Sequence, residues 1–149
     1  METNLTKYQK DIDTLIERGA KLYDGLIYEL RDDLGDTYKQ IPKSRRAEME
    51  KCEFKREYNS WYNESIALIK QLIPERLDDF QSYYKREKRK EITYETYTIS
   101  DYLIGYQTSR FGEVIVSRTY AIYKYEQQYY IVRSLKDRFA SSLYEIKQL

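Results

Sequence analysis

Hydrophobic residues recur every three or four positions through residues 5–30, which is the spacing of one helix face. Neighbouring apolar residues widen this stripe to the width of a globular core. The stripe consists of Leu5, Tyr8, Ile12, Leu15, Gly19, Leu22 and Leu26, flanked by Ile16, Tyr23, Ile27 and Leu30. Gly19 and Gly25 each weaken a helix by about 1 kcal/mol relative to alanine. The pattern therefore predicts a first long helix with a kink or break near these glycines.

A second stripe predicts a helix over residues 44–73, with Ser44 as its N-cap, after a loop over residues 35–43. Its apolar face consists of Phe54, Tyr58, Trp61, Ser65, Leu68 and Leu72. Trp61 lies on this face, so we expect it to be a core anchor between helices. Pro74 ends this helix or begins a short third helix, which is expected to reach Arg86.

Two later segments have the composition of strands. Residues 113–117 are the best candidate. Residues 92–98 are also rich in β-branched and aromatic side chains and form either a short strand or an extended loop. They predict one small β-hairpin, 92–98 with 113–117. Thr98 and Asp101 have the spacing of a capping box, with Asp in place of the preferred Glu, so a short helix is expected over residues 99–107.

A last long helix is predicted from about residue 119 to the C-terminus. Its apolar face consists of Ile122, Tyr125, Tyr129, Val132, Leu135, Phe139, Leu143 and Ile146. Helices of roughly 25–30 residues are about 40 Å long at 1.5 Å per residue. The fold class expected is all-α: an elongated bundle of three long helices with two short helices and the small hairpin. The 149 residues fit a single helical domain over residues 1–149.

Composition removes several classes of function. The chain has 26 Lys and Arg against 25 Asp and Glu, no His and a single Cys. A Cys/His zinc site, a Ser–His or Cys–His catalytic pair and a disulfide framework are therefore excluded. Neither a metal site nor a cofactor is predicted. No stretch of about 18 apolar residues is present to span a membrane, and no secretory signal opens the chain, which favours a cytoplasmic location.

The remaining candidates for chemistry are weak. Asp32 with Asp33, and Asp78 with Asp79, are neighbouring acids, but adjacent residues on a helix do not face each other. We interpret them as surface and helix-end acids. Cys52 has no histidine to lower its pKa and is expected to be inert. No catalytic residue is predicted.

One run of cations is dense enough to consider as a nucleic-acid site. It contains Lys85, Arg86, Lys88, Arg89 and Lys90, with tyrosines nearby that are able to stack on bases. Glu87 and Glu91 interrupt the run, and the net charge of the chain is only +1. A solvated connector is the favoured interpretation, and nucleic-acid binding remains the alternative.

Tyrosine is the compositional anomaly, with 18 Tyr against 4 Phe and 1 Trp. Tyrosine offers a large contact area at low entropic cost and is favoured at binding surfaces. The five tyrosines near the start of the last helix do not all point to one side of a helix. We therefore expect Tyr120, Tyr123 and Tyr130 to lie in a protein interface, the alternative being boundary packing between helices.

Four features within about residues 50–149 form a pattern: Trp61, Pro74-Glu-Arg, the Thr98-Ile-Ser-Asp-Tyr run and residues 138–149. In these parts the chain resembles the N-terminal region of a group of uncharacterised bacterial proteins that continue into a HEPN-like domain. The resemblance implies an accessory or recognition domain in prokaryotic conflict systems. HEPN ribonucleases carry an Arg-x4–6-His motif, and this chain has no His, so their activity is not implied for any residue here.

The sequence thus favours a non-enzymatic helical protein-interaction module, a recognition or regulatory domain in a prokaryotic phage-defence or toxin context. Its expected partner is a protein, and a homodimer is expected to form at micromolar concentration. The alternative is a standalone phage anti-defence inhibitor of the anti-CRISPR type. A nucleic-acid-binding module is the third hypothesis, and no membrane partner is expected.

Overall fold

A computed structural model of the chain describes residues 3–148, with side chains up to residue 141. This described part contains eight α-helices and a small two-stranded sheet. The helices are α1 (Asn4–Glu29), α2 (Arg31–Leu34), α3 (Asp36–Lys39), α4 (Lys43–Met49), α5 (Phe54–Leu72), α6 (Leu77–Tyr84), α7 (Ile99–Leu103) and α8 (Tyr120–Gln148). The strands are β1 (Thr108–Arg110) and β2 (Glu113–Val116), and a 3-10 turn spans Pro74–Arg76. The expected all-α class and its long-helix bundle are confirmed.

The core lies where α1, α5 and α8 pack against one another, and α6 closes it from the side of α5 and α8. Its centre is aromatic: the indole of Trp61 lies 5.2 Å from the ring of Tyr125 and 6.0 Å from that of Phe80, centroid to centroid. The Trp61 Nε1 also donates a hydrogen bond to the Leu15 carbonyl, at 2.9 Å. The expectation that Trp61 is a buried anchor is confirmed.

The break expected as one possibility near Gly19 and Gly25 is absent, since α1 runs without interruption through both. Both glycines are buried where a neighbour approaches the helix backbone. A Cβ at Gly19 would lie 2.9 Å from Cδ2 of Tyr129, and a Cβ at Gly25 would overlap the carbonyl of Cys52. The missing side chains therefore allow close packing, and that packing stabilises the helix at two positions of low helix propensity.

The single helix expected over residues 44–73 is divided into α4 and α5. Met49 packs into a small side cluster, whereas Phe54 enters the main core. On one continuous helix these two side chains would point roughly 140° apart, so the break lets both reach apolar surroundings. The helix also begins one residue earlier than expected, after Pro42, and Ser44 makes no capping hydrogen bond.

The connecting segments differ from the sequence expectation in detail. Residues 35–43 are not all loop: α3 follows Gly35, whose φ of +56° makes the sharp turn between α2 and α3. The short helix expected from residue 75 is a 3-10 turn followed by α6. The Thr98–Asp101 capping box is confirmed, and α7 begins directly after Thr98 as expected but ends at Leu103.

The β-hairpin is present, but residues 92–98 do not take part in it. Strand β2 falls where a strand was predicted, and its antiparallel partner is β1, joined to it by the two-residue turn Phe111–Gly112. Residues 92–98 instead form a turn, because Thr96 Oγ1 accepts from the Thr93 N–H at 2.8 Å and donates to the Glu91 carbonyl at 2.8 Å.

Some predicted positions near the C-terminus fall on side chains outside the described part of the chain. The predicted stripe positions Leu143 and Ile146 lie outside the described side chains. Within the described residues, no helix has a stretch long and apolar enough to cross a membrane.

Candidate interaction surface

Three tyrosines from two distant parts of the sequence form one surface patch. The ring of Tyr94 lies edge-on to that of Tyr120, at 5.0 Å between centroids, and 5.7 Å from that of Tyr123. Tyr94 is 45% exposed and Tyr123 is 43% exposed, while Tyr120 is half-buried between them and the core. We call Tyr94, Tyr120 and Tyr123 the tyrosine patch.

Rigid local structure positions each ring of the patch. Tyr94 is held by the hydrogen-bonded turn between Thr93 and Thr96. Tyr120 begins α8, and its hydroxyl donates to the carbonyl of Ile115 in β2 at 3.1 Å. The buried ring of Tyr97 supports Tyr120 from beneath at 5.8 Å. The backbone at Tyr94 and the ring of Tyr120 are therefore pre-organised, which lowers the entropy lost on binding.

A buried lysine lies directly under the patch. Lys124 is only 4% exposed, and its Nζ donates to the carbonyl of Glu95 at 2.9 Å. The same ammonium lies 5.3 Å from the ring centroid of Tyr94 and 5.5 Å from that of Tyr123. Burial, and then the nearby positive charge of Arg86, lower the pKa of Lys124. The cation–π contacts fix both exposed rings and draw their electron density towards the protein.

Tyr130, the third predicted interface residue, lies away from the patch. It is seven residues, or about two helical turns, further along α8 than Tyr123 and is 53% exposed. Its ring contacts that of Tyr129 and lines a groove of about 340 Å³ with Tyr23 and Arg45. The three predicted tyrosines therefore occupy two sites on α8, with Tyr120 and Tyr123 together and Tyr130 separate.

The predicted basic run is exposed at Lys85, Arg86, Lys88 and Lys90. Arg89 differs, because its guanidinium binds both carboxylate oxygens of Asp101, at 2.5 and 3.1 Å, and donates to the carbonyl of Thr96.

Although burial opposes ionisation of Asp101, Arg89 and the donors of Thr98 hold the pKa of this carboxyl below its usual value. Arg89 thus fastens the connector to the start of α7, and the other four cations remain as the predicted nucleic-acid candidates.

The other residues considered for chemistry are dispersed. Asp33 pairs with Arg118 at 2.8 Å and Asp79 with Arg76 at 3.4 Å, so each acid pair has one member in a surface ion pair. Burial, and then the carboxylate of Glu57, raise the pKa of the Cys52 thiol. Among the side chains described by the structure, no group of three acids or thiols is placed to hold a metal ion.

Sequence reasoning missed two members of this surface. Tyr94 was considered only as a base-stacking residue near the basic run, in a segment interpreted as a short strand or an extended loop, and only the folded chain brings it to α8. Lys124 had a detectable signal, since it lies four residues before Gln128 on the buried face of α8, with Tyr125 next to it. Polar residues on an apolar stripe imply buried partners, and Gln128 indeed bridges Tyr58 and the Phe80 carbonyl.

Comparison with known proteins adds no assignment to this geometry. No protein-family model matches the chain. A search of curated proteins and a search of solved structures likewise find no match. The functional argument therefore rests on the residues of this chain.

Proposed function

We propose that the chain is a non-enzymatic helical module that binds a protein partner through the tyrosine patch. The observation that carries this proposal is the pair of Tyr94 and Tyr123, two nearly half-exposed rings held rigidly over the buried ammonium of Lys124. A folded chain gains little from leaving two large aromatic rings at its surface. Exposed aromatic patches of this kind are typical of interaction sites.

The chemistry of the patch favours a protein partner over a nucleic acid. Its phenol rings offer apolar contact area together with hydroxyl groups that donate or accept hydrogen bonds, as protein interfaces require. Glu87, Glu91 and Glu95 interrupt the exposed cations of the neighbouring segment, so part of its positive charge is compensated. Nucleic-acid sites depend on uncompensated positive charge.

The biological setting of the proposal has one support, the sequence resemblance described above. That resemblance favours a recognition or regulatory role beside a second domain, in a prokaryotic phage-defence or toxin system. The patch is compatible with this role, because an accessory domain acts by presenting a rigid surface to its partner.

The proposal is tested by capturing the partner and measuring its affinity. Benzoylphenylalanine in place of Tyr123 crosslinks the bound protein in cells that express the chain natively. The captured protein is then purified and titrated against the wild type and against Tyr123→Ala. Because a truncated aromatic hot spot costs about 2 kcal/mol or more, we expect binding to weaken about 30-fold.

The matched control is Tyr8→Ala, which removes another exposed tyrosine, in α1 near the N-terminus of the chain. We expect this variant to bind like the wild type. Equal loss in both variants would show that the patch has no special role. Tight binding of a labelled single-stranded RNA that is lost on Lys88→Glu and falls steeply with salt would replace the proposal with the nucleic-acid hypothesis.

A second copy of the chain is the simplest protein partner and is tested separately. Two-fold dimers are the commonest oligomers, and Tyr123 and Tyr130 are both exposed on α8. We expect light scattering to show dimers at micromolar concentration that weaken when both residues are replaced by Glu. A strict monomer at high concentration would leave the patch to a different protein.

A further inference from the structure

The β-hairpin presents an apolar tip that the fold of this chain does not use. Phe111, in the turn between β1 and β2, is 94% exposed, and Val114 and Ile115 of β2 are exposed as well. The ring of Phe111 has the Arg110 guanidinium 5.5 Å from its centroid. Burial within this chain therefore does not account for a phenylalanine at this position.

The backbone makes the choice of phenylalanine more unusual. Phe111 has a φ of +53° and Gly112 a φ of +80°, the left-handed pair that a type I′ hairpin turn requires. Asn-Gly or Gly-Gly is preferred there, since a bulky residue is strained at positive φ. Across residues 3–148, Phe111 is the one non-glycine residue with positive φ. Strain together with full exposure points to a role outside the folding of the chain.

We propose that the hairpin is a docking element that inserts Phe111 into an apolar pocket of a folded protein partner. This inference rests on the proposed function and adds a second contact to it. The two contacts are continuous, because the Tyr120 hydroxyl of the tyrosine patch donates to the Ile115 carbonyl of β2. A partner lying on the patch therefore reaches the hairpin.

The chemistry of the tip selects a protein pocket over other occupants. Arg110 and Glu113 are cross-strand neighbours of opposite charge, so the tip attracts neither phosphates nor anionic lipid. Each strand of a two-stranded sheet has a free edge, whose N–H and C=O groups find no partner in hydrocarbon. A protein offers apolar pockets and backbone hydrogen bonds together, as in strand addition.

The size of the tip also excludes a simple tip-to-tip contact between two copies. One aromatic side chain buries about 150–250 Å², and Phe111 is accompanied by only two aliphatic residues. A stable interface buries about 800 Å² on each partner. The occupant is therefore concave, encloses the tip and continues onto the tyrosine patch.

The experiment uses the full chain with benzoylphenylalanine in place of Phe111, in cells that express the chain natively. The captured protein is purified and titrated against the wild type, Phe111→Ala and the control Leu5→Ala, which removes an exposed leucine from α1. We expect Phe111→Ala to bind about 30-fold more weakly and Leu5→Ala to bind like the wild type. Equal affinity for Phe111→Ala, or no capture, overturns the inference.

A folding control keeps the result interpretable. Phe111→Asn places a residue that tolerates positive φ in the turn, so we expect its Tm to rise by about 3 °C. A Tm below that of the wild type would show that the ring serves the fold, and would overturn the inference. Binding of the wild type to vesicles of phosphatidylcholine and phosphatidylglycerol that is lost in Phe111→Ala would overturn it in favour of a membrane.

The same measurements separate this inference from the proposed function. If the protein captured through Tyr123 binds Phe111→Ala as tightly as the wild type, the patch acts alone and the hairpin inference fails. If the protein captured through Phe111 is unaffected by Tyr123→Ala, the hairpin inference holds and the patch is not the interface.

Discussion

Replacing Gly25 by alanine reverses the usual effect of this substitution. In a helix interior, glycine to alanine stabilises by about 1 kcal/mol. At Gly25 the new Cβ would overlap the carbonyl oxygen of Cys52, and the Cys52 carbon and the Phe54 nitrogen lie 3.1 and 3.3 Å away. All three atoms are backbone, so the segment between α4 and α5 has to move as a whole.

The magnitude follows from these two opposing effects. Overpacking a close-packed interior costs about 1–3 kcal/mol, and a clash with backbone lies at the upper end because no side chain is able to rotate away. After the propensity gain is subtracted, we expect Gly25→Ala to lower the free energy of unfolding by about 2 kcal/mol. At Gly19 the two nearest atoms belong to the half-buried ring of Tyr129, which is able to turn, and the third is the hydrogen-bonded Nε1 of Trp61 at 3.2 Å. No backbone atom is among them, so Gly19→Ala is expected to cost less than Gly25→Ala.

Urea unfolding followed by far-UV circular dichroism measures these differences. Ala20→Gly is the matched control, because Ala20 is exposed in the same helix and its replacement is expected to cost about 1 kcal/mol through propensity alone. A Gly25→Ala protein as stable as the wild type, or more stable, would refute the close approach of Cys52 to α1 and with it the packing of the α4–α5 break.

Three further outcomes follow from the core and the connector. Trp61→Ala is expected to lower the free energy of unfolding by about 3–5 kcal/mol, and a melting temperature within a few degrees of wild type would contradict its central place. Arg89→Ala is expected to lower the free energy of unfolding by about 2 kcal/mol, because the nearly buried carboxylate of Asp101 loses its ion-pair partner. Lys88→Ala truncates an exposed neighbour of Arg89 and is expected to change the free energy of unfolding, measured by the same urea titration, by no more than about 0.5 kcal/mol. Equal losses of stability in the Arg89 and Lys88 variants would refute the ion-pair argument. The pKa of Asp101 is lowered in the folded state. The stability that this carboxylate contributes is therefore complete above the ordinary aspartate pKa of about 3.9 and is lost as pH falls through the lower folded value. Asp101→Asn is expected to flatten the acid side of the plot of unfolding free energy against pH, and an unchanged acid side would contradict the role given to Asp101.

Periodicity predicted the long helices because their buried faces repeat every three or four residues, and a packed bundle preserves that repeat. It failed where a distant contact decides the local structure. The break at residues 50–53 places the Cys52 carbonyl against Gly25, and no signal within the second helix records that contact. The glycines were interpreted as weak points for the same reason.

The hairpin shows a competition between strand propensity and local hydrogen bonds. Residues 92–98 have the composition of a strand, but Thr93 and Thr96 close a turn and Thr98 caps α7. Such side-chain bonds compete with sheet pairing. The residues of β1 are poorer strand formers and pair because the Phe111–Gly112 turn brings them back along β2.

The candidate surface was only partly predictable. Tyr120 and Tyr123 were predicted as surface candidates because the tyrosines near the start of the last helix are too many to face the core together. Tyr94 reaches them through a turn in a segment whose sequence pattern indicated either a short strand or an extended loop. The spacing of Lys124 and Gln128 signals burial, but it does not identify the partners of Lys124, which are the Glu95 carbonyl and the rings of Tyr94 and Tyr123.

The placement of Trp61 gives the chain an intrinsic optical reporter. It is the single tryptophan, and its ring centroid lies 5.2 Å from that of Tyr125 and 6.1 Å from that of Tyr58. At such separations, light absorbed by these phenols is passed to the indole, so the native chain emits mainly as tryptophan despite its 18 tyrosines. Opening of the α1–α5–α8 contact separates the donors from the acceptor and restores tyrosine emission. Every variant above that retains Trp61 therefore carries its own label for following the core in solution.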